Sequence, residues 1–378
     1  MNHRKTRSVF PRVAIVHDAV LYAGGAEQVL IALLQLFPTA DMYTAFFTPQ
    51  LCNWINKFFT GTIYVSPFDR IPYIRRFADW FKLPLFYYWK GLNLSRYDIV
   101  ISSSHSFSSK AVVVAPGALH ISYVHTPPRY LYTEYNETRL IKIPLIQFFL
   151  APFLSWARAL DYQAAQRPHV LVANSKTVRE RVRAYYQRES VVIYPPVKIP
   201  KRIGQIQKKE YFLCVSRLVK QKGTALAIGA CNALRLPLVV VGTGKEERFL
   251  RAIAGSTIIF LGFVPDDQID QIYRHARGLI FCSHDEDFGM VPVEAMAHGV
   301  PVIAYNSGGV QETVVDGKTG VTFADYGVGS LIRAIQRFEN LNFSQKVLRT
   351  HAKHFSEERF DHEFKSLIDT FFQNRQKQ

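Results

Sequence analysis

Short, dense runs of apolar residues recur along the chain, separated by stretches whose apolar positions repeat at helical spacing. Residues 12–18, Met42–Phe47, Ile99–Ser102, Ala111–Val114, His120–Val124 and Val170–Ala173 each read as strands. A strand covered on both faces carries a near-continuous apolar run instead of an alternation. A helix is expected from Glu27 to Leu36, after the first strand and a Gly24-Gly25 turn. Strands alternating with helical patterns predict a parallel α/β sheet. Val191–Tyr194 reads as one more strand, and Pro195-Pro196 then stops regular structure.

A polar, basic stretch from Lys198 to Glu210 reads as a linker, and a second α/β series follows it. Its expected strands are Tyr211–Ser216, Pro237–Val241, Ile258–Leu261, Gly278–Phe281 and Pro301–Tyr305. Its expected helices include Ala225–Leu234, one after Gly242-Thr243-Gly244, Ser330–Phe338 and Glu357–Phe372. No repeat of solenoid length is visible. The expected domains are therefore residues 1–194 and 211–355, with a linker at 195–210 and a terminal helix in 356–378.

The chain has 378 residues, 48% of them hydrophobic, with 28 Phe and 19 Tyr, which excludes long disorder. Four cysteines, Cys52, Cys214, Cys231 and Cys282, lack the spacing of a zinc site or a disulfide framework, and a reducing cytoplasm fits them. No charge-free apolar run reaches the ~18 residues of a membrane span, and the basic N-terminus is followed by no signal-peptide core. The net charge of +16 favours an anionic partner without choosing among nucleic acid, lipid and phosphorylated substrate.

Glu286 and Glu294 frame the most informative stretch, Glu286-Asp287-Phe288-Gly289-Met290-Val291-Pro292-Val293-Glu294. Gly289 suits a turn that approaches a ligand closely, Pro292 an early helical position and Gly299 the helix end. A helix start offers N–H groups to an anion, and carboxylates accept from sugar hydroxyls. Upstream, Arg217 and Lys222 follow a strand and precede a helix, where a guanidinium fork and an ammonium can neutralise a diphosphate. In the first half, the strand His120–Val124 runs into His125-Thr126-Pro127-Pro128-Arg129-Tyr130. A strand-end His in a cleft can polarise a sugar hydroxyl. Each feature alone also fits a bland reading, such as an acidic loop, solvated cations or a structural His.

Taken together, Glu286-x7-Glu294, Gly299-Val300-Pro301, Gly308-Gly309-x-x-Glu312 and Tyr123-Val124-His125-Thr126-Pro127-Pro128-Arg129-Tyr130 resemble the signatures of family 4 retaining glycosyltransferases, and the last string resembles bacterial polysaccharide mannosyltransferases. The resemblance implies a GT-B fold: α/β, with two facing Rossmann-like domains and an interdomain donor cleft. It gives Glu286 the donor-sugar hydroxyls and Glu294 the ribose. Arg217 and Lys222 take the departing diphosphate, and the backbone of Phe288, Gly289 and Met290 faces the sugar and phosphate. Phe263 and Val264 line the base, Gly24 and Gly25 lie against the diphosphate, and His125 joins Arg217, Lys222 and Glu286 as catalytic. From its strand-end position Ser103 is expected on the acceptor side, with helix capping explaining it as well, and Arg129 is expected either at an acceptor phosphate or in an ion pair. Ser216 replaces the family's Gly.

Asp285-Glu286-Asp287 contains a D-x-D pattern, but Arg217 and Lys222 can supply the positive charge, so no obligatory metal and no cofactor is expected. The donor expected first is GDP-mannose, with a lipid-linked or glycan acceptor and no nucleic-acid partner. Asn174-Ser175 reads first as a helix cap. Phe364–Phe371 is either an ordinary terminal helix or one that crosses back to the first domain.

Two segments mix aromatic residues with cations or prolines: Ile71–Lys90, and Ile141–Leu160 with Phe153 and Trp156. They fit either core helices or an anionic membrane interface. The expectation is therefore a cytoplasmic enzyme, peripheral on the inner face of the cell membrane. A nucleotide-sugar epimerase and a non-catalytic membrane or glycan-binding protein on the same fold remain the alternatives.

Overall fold

The computed structural model describes residues 11–21, 24–48, 58–105, 108–132, 144–201 and 210–376. The basic N-terminus, Tyr22-Ala23, Cys52, Ile141–Ile143 and residues 202–209 of the expected linker lie outside them. The chain divides into two compact units: Met1–Asn174 with Val178–Ile193, and Ser175–Thr177 with Tyr194–Gln378.

The first unit runs β1 (Val13–His17), α1 (Gly25–Leu36), β2 (Asp41–Thr44), β3 (Ile63–Val65), α2 (Lys82–Gly91), β4 (Ile99–Ser104), β5 (Leu119–Val124), α3 (Arg129–Tyr132), α4 (Pro144–Ala165), β6 (Val170–Ala173), α5 (Lys176–Tyr186) and β7 (Val191–Val192). All neighbouring strands are parallel, in the order β3-β2-β1-β4-β5-β6-β7. β1, β4 and β5 are buried along their whole length, which explains sequences that, His17 and His120 apart, are apolar or small. The chain winds outward from β1 through β2 to β3 and returns to the other side of β1 as β4. The C-terminal ends of β1 and β4 thus form a topological switch point, where open α/β sheets leave a crevice.

The expected strand Ala111–Val114 does not form. β4 is already flanked by β1 and β5, so the sheet has no place beside it. Ser109–Ala111 instead make a 3₁₀ turn, with Val112 buried and Val113 half exposed. Lys110 points inward and meets Asp161 of α4 at 2.5 Å, and both side chains are sealed from water. The Tyr132 hydroxyl donates to the same carboxylate.

The second unit runs β8 (Tyr211–Val215), α6 (Thr224–Leu234), β9 (Leu238–Val241), α7 (Glu247–Ile253), β10 (Ile258–Gly262), α8 (Asp266–His275), β11 (Ala276–Phe281), α9 (Met290–Ala297), β12 (Val302–Tyr305), α10 (Val310–Thr313), β13 (Gly320–Phe323), α11 (Val328–Glu339), α12 (Gln345–Ala352) and α13 (Glu357–Gln376). Its parallel sheet is ordered β10-β9-β8-β11-β12-β13, with the switch point between β8 and β11. One apolar layer joins β8 and β11 to α9 and α12, and the other joins them to α6 and α11. Cys214, Cys231 and Cys282 are buried, unbridged thiols, and burial pushes Cys214 up to about 11 and Cys231 up to about 12.

Neither expected membrane segment is wholly core. In the first, Leu85, Phe86 and Trp89 are buried whereas Tyr73, Phe77 and Tyr87 are exposed. In the second, Phe153 and Trp156 are exposed on α4 with ring centroids 5.8 Å apart. No described helix is long and apolar enough to cross a membrane.

Candidate active site

In the second unit, the loops after β8 and β11 leave from the two strands that flank the switch point. The β8 loop closes as a 3₁₀ turn, Lys220–Lys222, just before α6. The β11 loop carries Glu286. The topology therefore brings Lys222 and Glu286 together although 64 positions separate them: Lys222 Nζ lies 2.6 Å from Glu286 Oε2. Each side chain is about 20% exposed, so this ion pair is open to water on one side. Ser283, at the end of the β11 run, donates to the same carboxylate oxygen at 2.5 Å.

Glu286 is also held by its backbone. Its carbonyl accepts from Gly309 N–H at 2.7 Å, and it bridges Gly308 in parallel register. Gly308 has φ +60°, and a Cβ there would sit 2.2 Å from the Glu286 carbonyl oxygen. The Gly308-Gly309 pair is therefore required so that one loop can lie directly on the other.

Gly289, at φ +89°, turns the chain into α9, and its left-handed backbone leaves the N-terminal N–H groups of that helix unpaired by a side-chain cap. Phe288 is buried against Tyr194 and Phe355 and anchors the turn, so it contributes backbone to the site. Met290 is half-buried at the first helical position. Glu294 lies on α9, with the Tyr273 hydroxyl donating to it across 3.4 Å. Arg217 is exposed on the β8 loop and has no ion pair with another described residue. Phe263 is 70% exposed beyond β10, and the adjacent Val264 packs partly into the core.

In the first unit, Gly24 and Gly25 open α1 after β1. His125 follows β5 and is almost fully buried. Its Nε2 lies 2.8 Å from Ser103 Oγ, which lies 3.0 Å from His17 Nδ1. Ser103, expected on the acceptor side, is wholly buried, and its hydroxyl sits between these two imidazoles. Burial pushes His125 well below the usual imidazole range, His105 and His17 push the same way, and Asp18 opposes them. Arg129 is half-buried at the start of α3. Sequence reasoning missed Ser283, Tyr273 and His17. Ser283 and His17 share one readable signal, a polar residue at or just past the C-terminal end of a strand at a switch point.

Among the described residues, no group of three or more metal-ligating side chains is found. The chemistry on offer is hydrogen bonding and charge: a cation and a carboxylate side by side in one unit, and a neutral imidazole in the other.

Comparison with known proteins agrees with this architecture. The family model for Glycosyltransferase Family 4 matches residues 23–199, and that for Glycosyl transferases group 1 matches residues 197–355. The chain is 30% identical over 191 residues to an uncharacterized glycosyltransferase of Methanocaldococcus jannaschii, covering 49% of this chain and 54% of that protein. It is 40% identical over 83 residues to the alpha-1,3/1,6-mannosyltransferase alg-2 of Neurospora crassa, covering 22% of this chain and 18% of that one. The chain thus spans about half or less of the length of these relatives. Among solved structures, Anabaena HepE in complex with UDP-glucose superposes with a TM-score of 0.68 at 16% identity, over 95% of this chain and 99% of that chain.

Fold and family matches together give a GT-B fold whose two parts each match a glycosyltransferase family model. More particularly, its first half matches the family 4 model and its second half the group 1 model, meeting near residue 198.

Proposed function

We propose that this protein transfers a hexose from a nucleoside-diphosphate sugar to a hydroxyl of a lipid-linked or glycan acceptor, with retention of anomeric configuration. The observation that carries the reading is the Lys222–Glu286 pair at the β8/β11 switch point, locked by Gly308 and Gly309. A diphosphate entering there draws Lys222 away from Glu286, and the released carboxylate accepts from sugar hydroxyls. Arg217 adds a second cation for the leaving diphosphate. Glu294 takes the ribose hydroxyls, and the N–H groups at the Gly289 turn face the phosphate.

His125 contributes a hydrogen bond to the sugar. Catalysis on this reading is positioning together with stabilisation of the charge that develops on the departing phosphate, and no residue serves as a covalent nucleophile. GDP-mannose is the first donor to try, supported by the likeness to a Neurospora mannosyltransferase. UDP-glucose is the second, supported by the HepE complex. The exposed aromatic residues Tyr73, Phe77, Tyr87, Phe153 and Trp156, on a chain of net charge +16, support an acceptor met at an anionic membrane surface.

The test is to incubate the protein with a panel of nucleotide sugars and a lipid extract, and to measure released nucleoside diphosphate. Release that requires both one donor and the extract is expected. Binding of a nucleotide sugar without release under any acceptor contradicts the transferase reading.

A further inference from the structure

We propose that His17 and Ser103 are positioning residues that hold His125 in the tautomer with its proton on Nδ1, so that His125 meets substrate as an N–H donor. The proposal rests on His125 acting in the transfer, as proposed above.

The arrangement follows from sheet register. β1 and β4 pair so that His17 stands directly opposite Ser103. β5 lies on the other side of β4, and the His125 N–H just past its end donates to the Ser104 carbonyl at 2.9 Å. Three residues spread from position 17 to position 125 of the chain thus form one line, His17 Nδ1 to Ser103 Oγ to His125 Nε2.

A serine hydroxyl has one proton, so between two ring nitrogens it donates to one and accepts from the other. Two proton arrangements are therefore open. In the first, His17 Nδ1–H donates to Ser103, and Ser103 donates to His125 Nε2, which leaves the His125 proton on Nδ1. In the second, His125 Nε2–H donates to Ser103, Ser103 donates to His17 Nδ1, and the His17 proton moves to Nε2.

The surroundings of His17 decide between them. Its Nε2 is buried and has no hydrogen-bond partner among the described residues. The second arrangement places an N–H there with no acceptor, and orphaned buried donors are rarer than under-used acceptors. The first places only a lone pair there. It also commits His125 Nε2 to the serine. No described group hydrogen-bonds His125 Nδ1, so its N–H is the one the ring offers to a substrate oxygen.

A neutral ring is required for this, and its neighbours keep it neutral. His17 and His105 face it and oppose a charge, and burial does so more strongly. Asp18 is the one carboxylate that favours the charge. Its two oxygens are occupied by the backbone N–H groups of His105 at 2.7 Å and Ser109 at 2.8 Å. The Tyr123 ring, 5.1 Å from that of His125, carries no charge near neutral pH. The relay therefore makes His125 a fixed hydrogen-bond donor and withholds its Nε2 from general-base work.

The experiment is two-bond ¹H–¹⁵N NMR of the full chain labelled in histidine, which distinguishes Nδ1–H, Nε2–H and doubly protonated rings. His125 is expected as neutral Nδ1–H from pH 8 down to pH 5. Ser103→Ala is expected to shift it toward Nε2–H and to lower kcat about tenfold or more, with donor KM changed less than twofold. Ser103→Thr, which keeps the hydroxyl, is expected to restore both the tautomer and kcat. A wild-type His125 with its proton on Nε2, or doubly protonated at pH 6, overturns the proposal. So does a Ser103→Ala protein whose His125 stays pure Nδ1–H. Should Ser103→Ala fail to fold, His17→Leu replaces it: the serine hydroxyl is then free to donate or to accept, so a mixture of the two His125 tautomers is expected in place of pure Nδ1–H, and the wild-type spectrum decides the tautomer alone. Undiminished turnover by His125→Ala overturns the role of this ring in transfer; the spectrum tells that failure apart from a failure of the relay.

Discussion

Two lysine–carboxylate pairs in this protein have nearly the same length and opposite meanings. Lys110 and Asp161 meet at 2.5 Å with side chains 1% and 3% exposed, whereas Lys222 and Glu286 meet at 2.6 Å with both near 20%. The first pair is sealed in the core of one unit, with Tyr132 on its carboxylate and the Tyr186 ring 5.3 Å from its ammonium. No ligand reaches it, and it ties the turn after β4 to α4. The second pair stands at a switch point, on loops that also carry the exposed Arg217 and lead into α9. Water already reaches it, so an incoming anion can exchange with the carboxylate. Distance alone does not separate a structural ion pair from a binding one. Solvent access and the polarity of what surrounds the pair do.

Breaking each pair separately sharpens the contrast. Lys110→Met leaves Asp161 buried without its cation and is expected to lower unfolding free energy by about 3–5 kcal/mol. Urea denaturation measures this, and donor affinity of the protein that remains folded should stay within twofold. Lys222→Met and Glu286→Gln reverse the pattern. Turnover is expected to fall about 10²–10³-fold for each, while stability shifts by no more than about 1 kcal/mol, as for solvent-accessible pairs. A large stability loss in these two variants breaks the comparison.

A third expectation concerns pH and the neutral histidines of the first unit. Burial pushes His17 and His120 from 6.5 down to about 3. Below pH 6.5 the unfolded chain binds protons that the folded chain refuses, so stability falls as pH drops from 6.5 toward 3. At pH 5 each ring costs about 2 kcal/mol by this linkage. Denaturation midpoints at pH 7 and pH 5 measure the difference, and His120→Gln should shrink it. The smallest effect is expected at the surface: Phe153→Ser with Trp156→Ser should weaken sedimentation with anionic vesicles a few-fold and leave the donor affinity unchanged.

How much of this was legible in sequence depended on how local each feature is. The Glu286–Glu294 stretch was readable because turn, helix start and both carboxylates lie within nine positions. The strands buried on both faces were readable for the same reason, since β1, β6 and β12 each carry their apolar run without interruption. β3 escaped notice because it has three half-buried residues at the sheet edge, and β13 because Gly320 and Thr322 dilute its pattern. Ala111–Val114 was misread because an apolar run says nothing about whether the sheet has a free place for it. The His17–Ser103–His125 line was invisible because it depends on which residue of β1 stands opposite which residue of β4, and register is a property of the assembled sheet.

Isothermal titration of the matched donor against wild type, Lys222→Met and Glu286→Gln tests the central claim most directly, with the nucleoside diphosphate alone as a second ligand. The account predicts that Lys222→Met weakens both ligands, whereas Glu286→Gln weakens only the sugar-bearing one. Unchanged affinity for both ligands in both variants would contradict it.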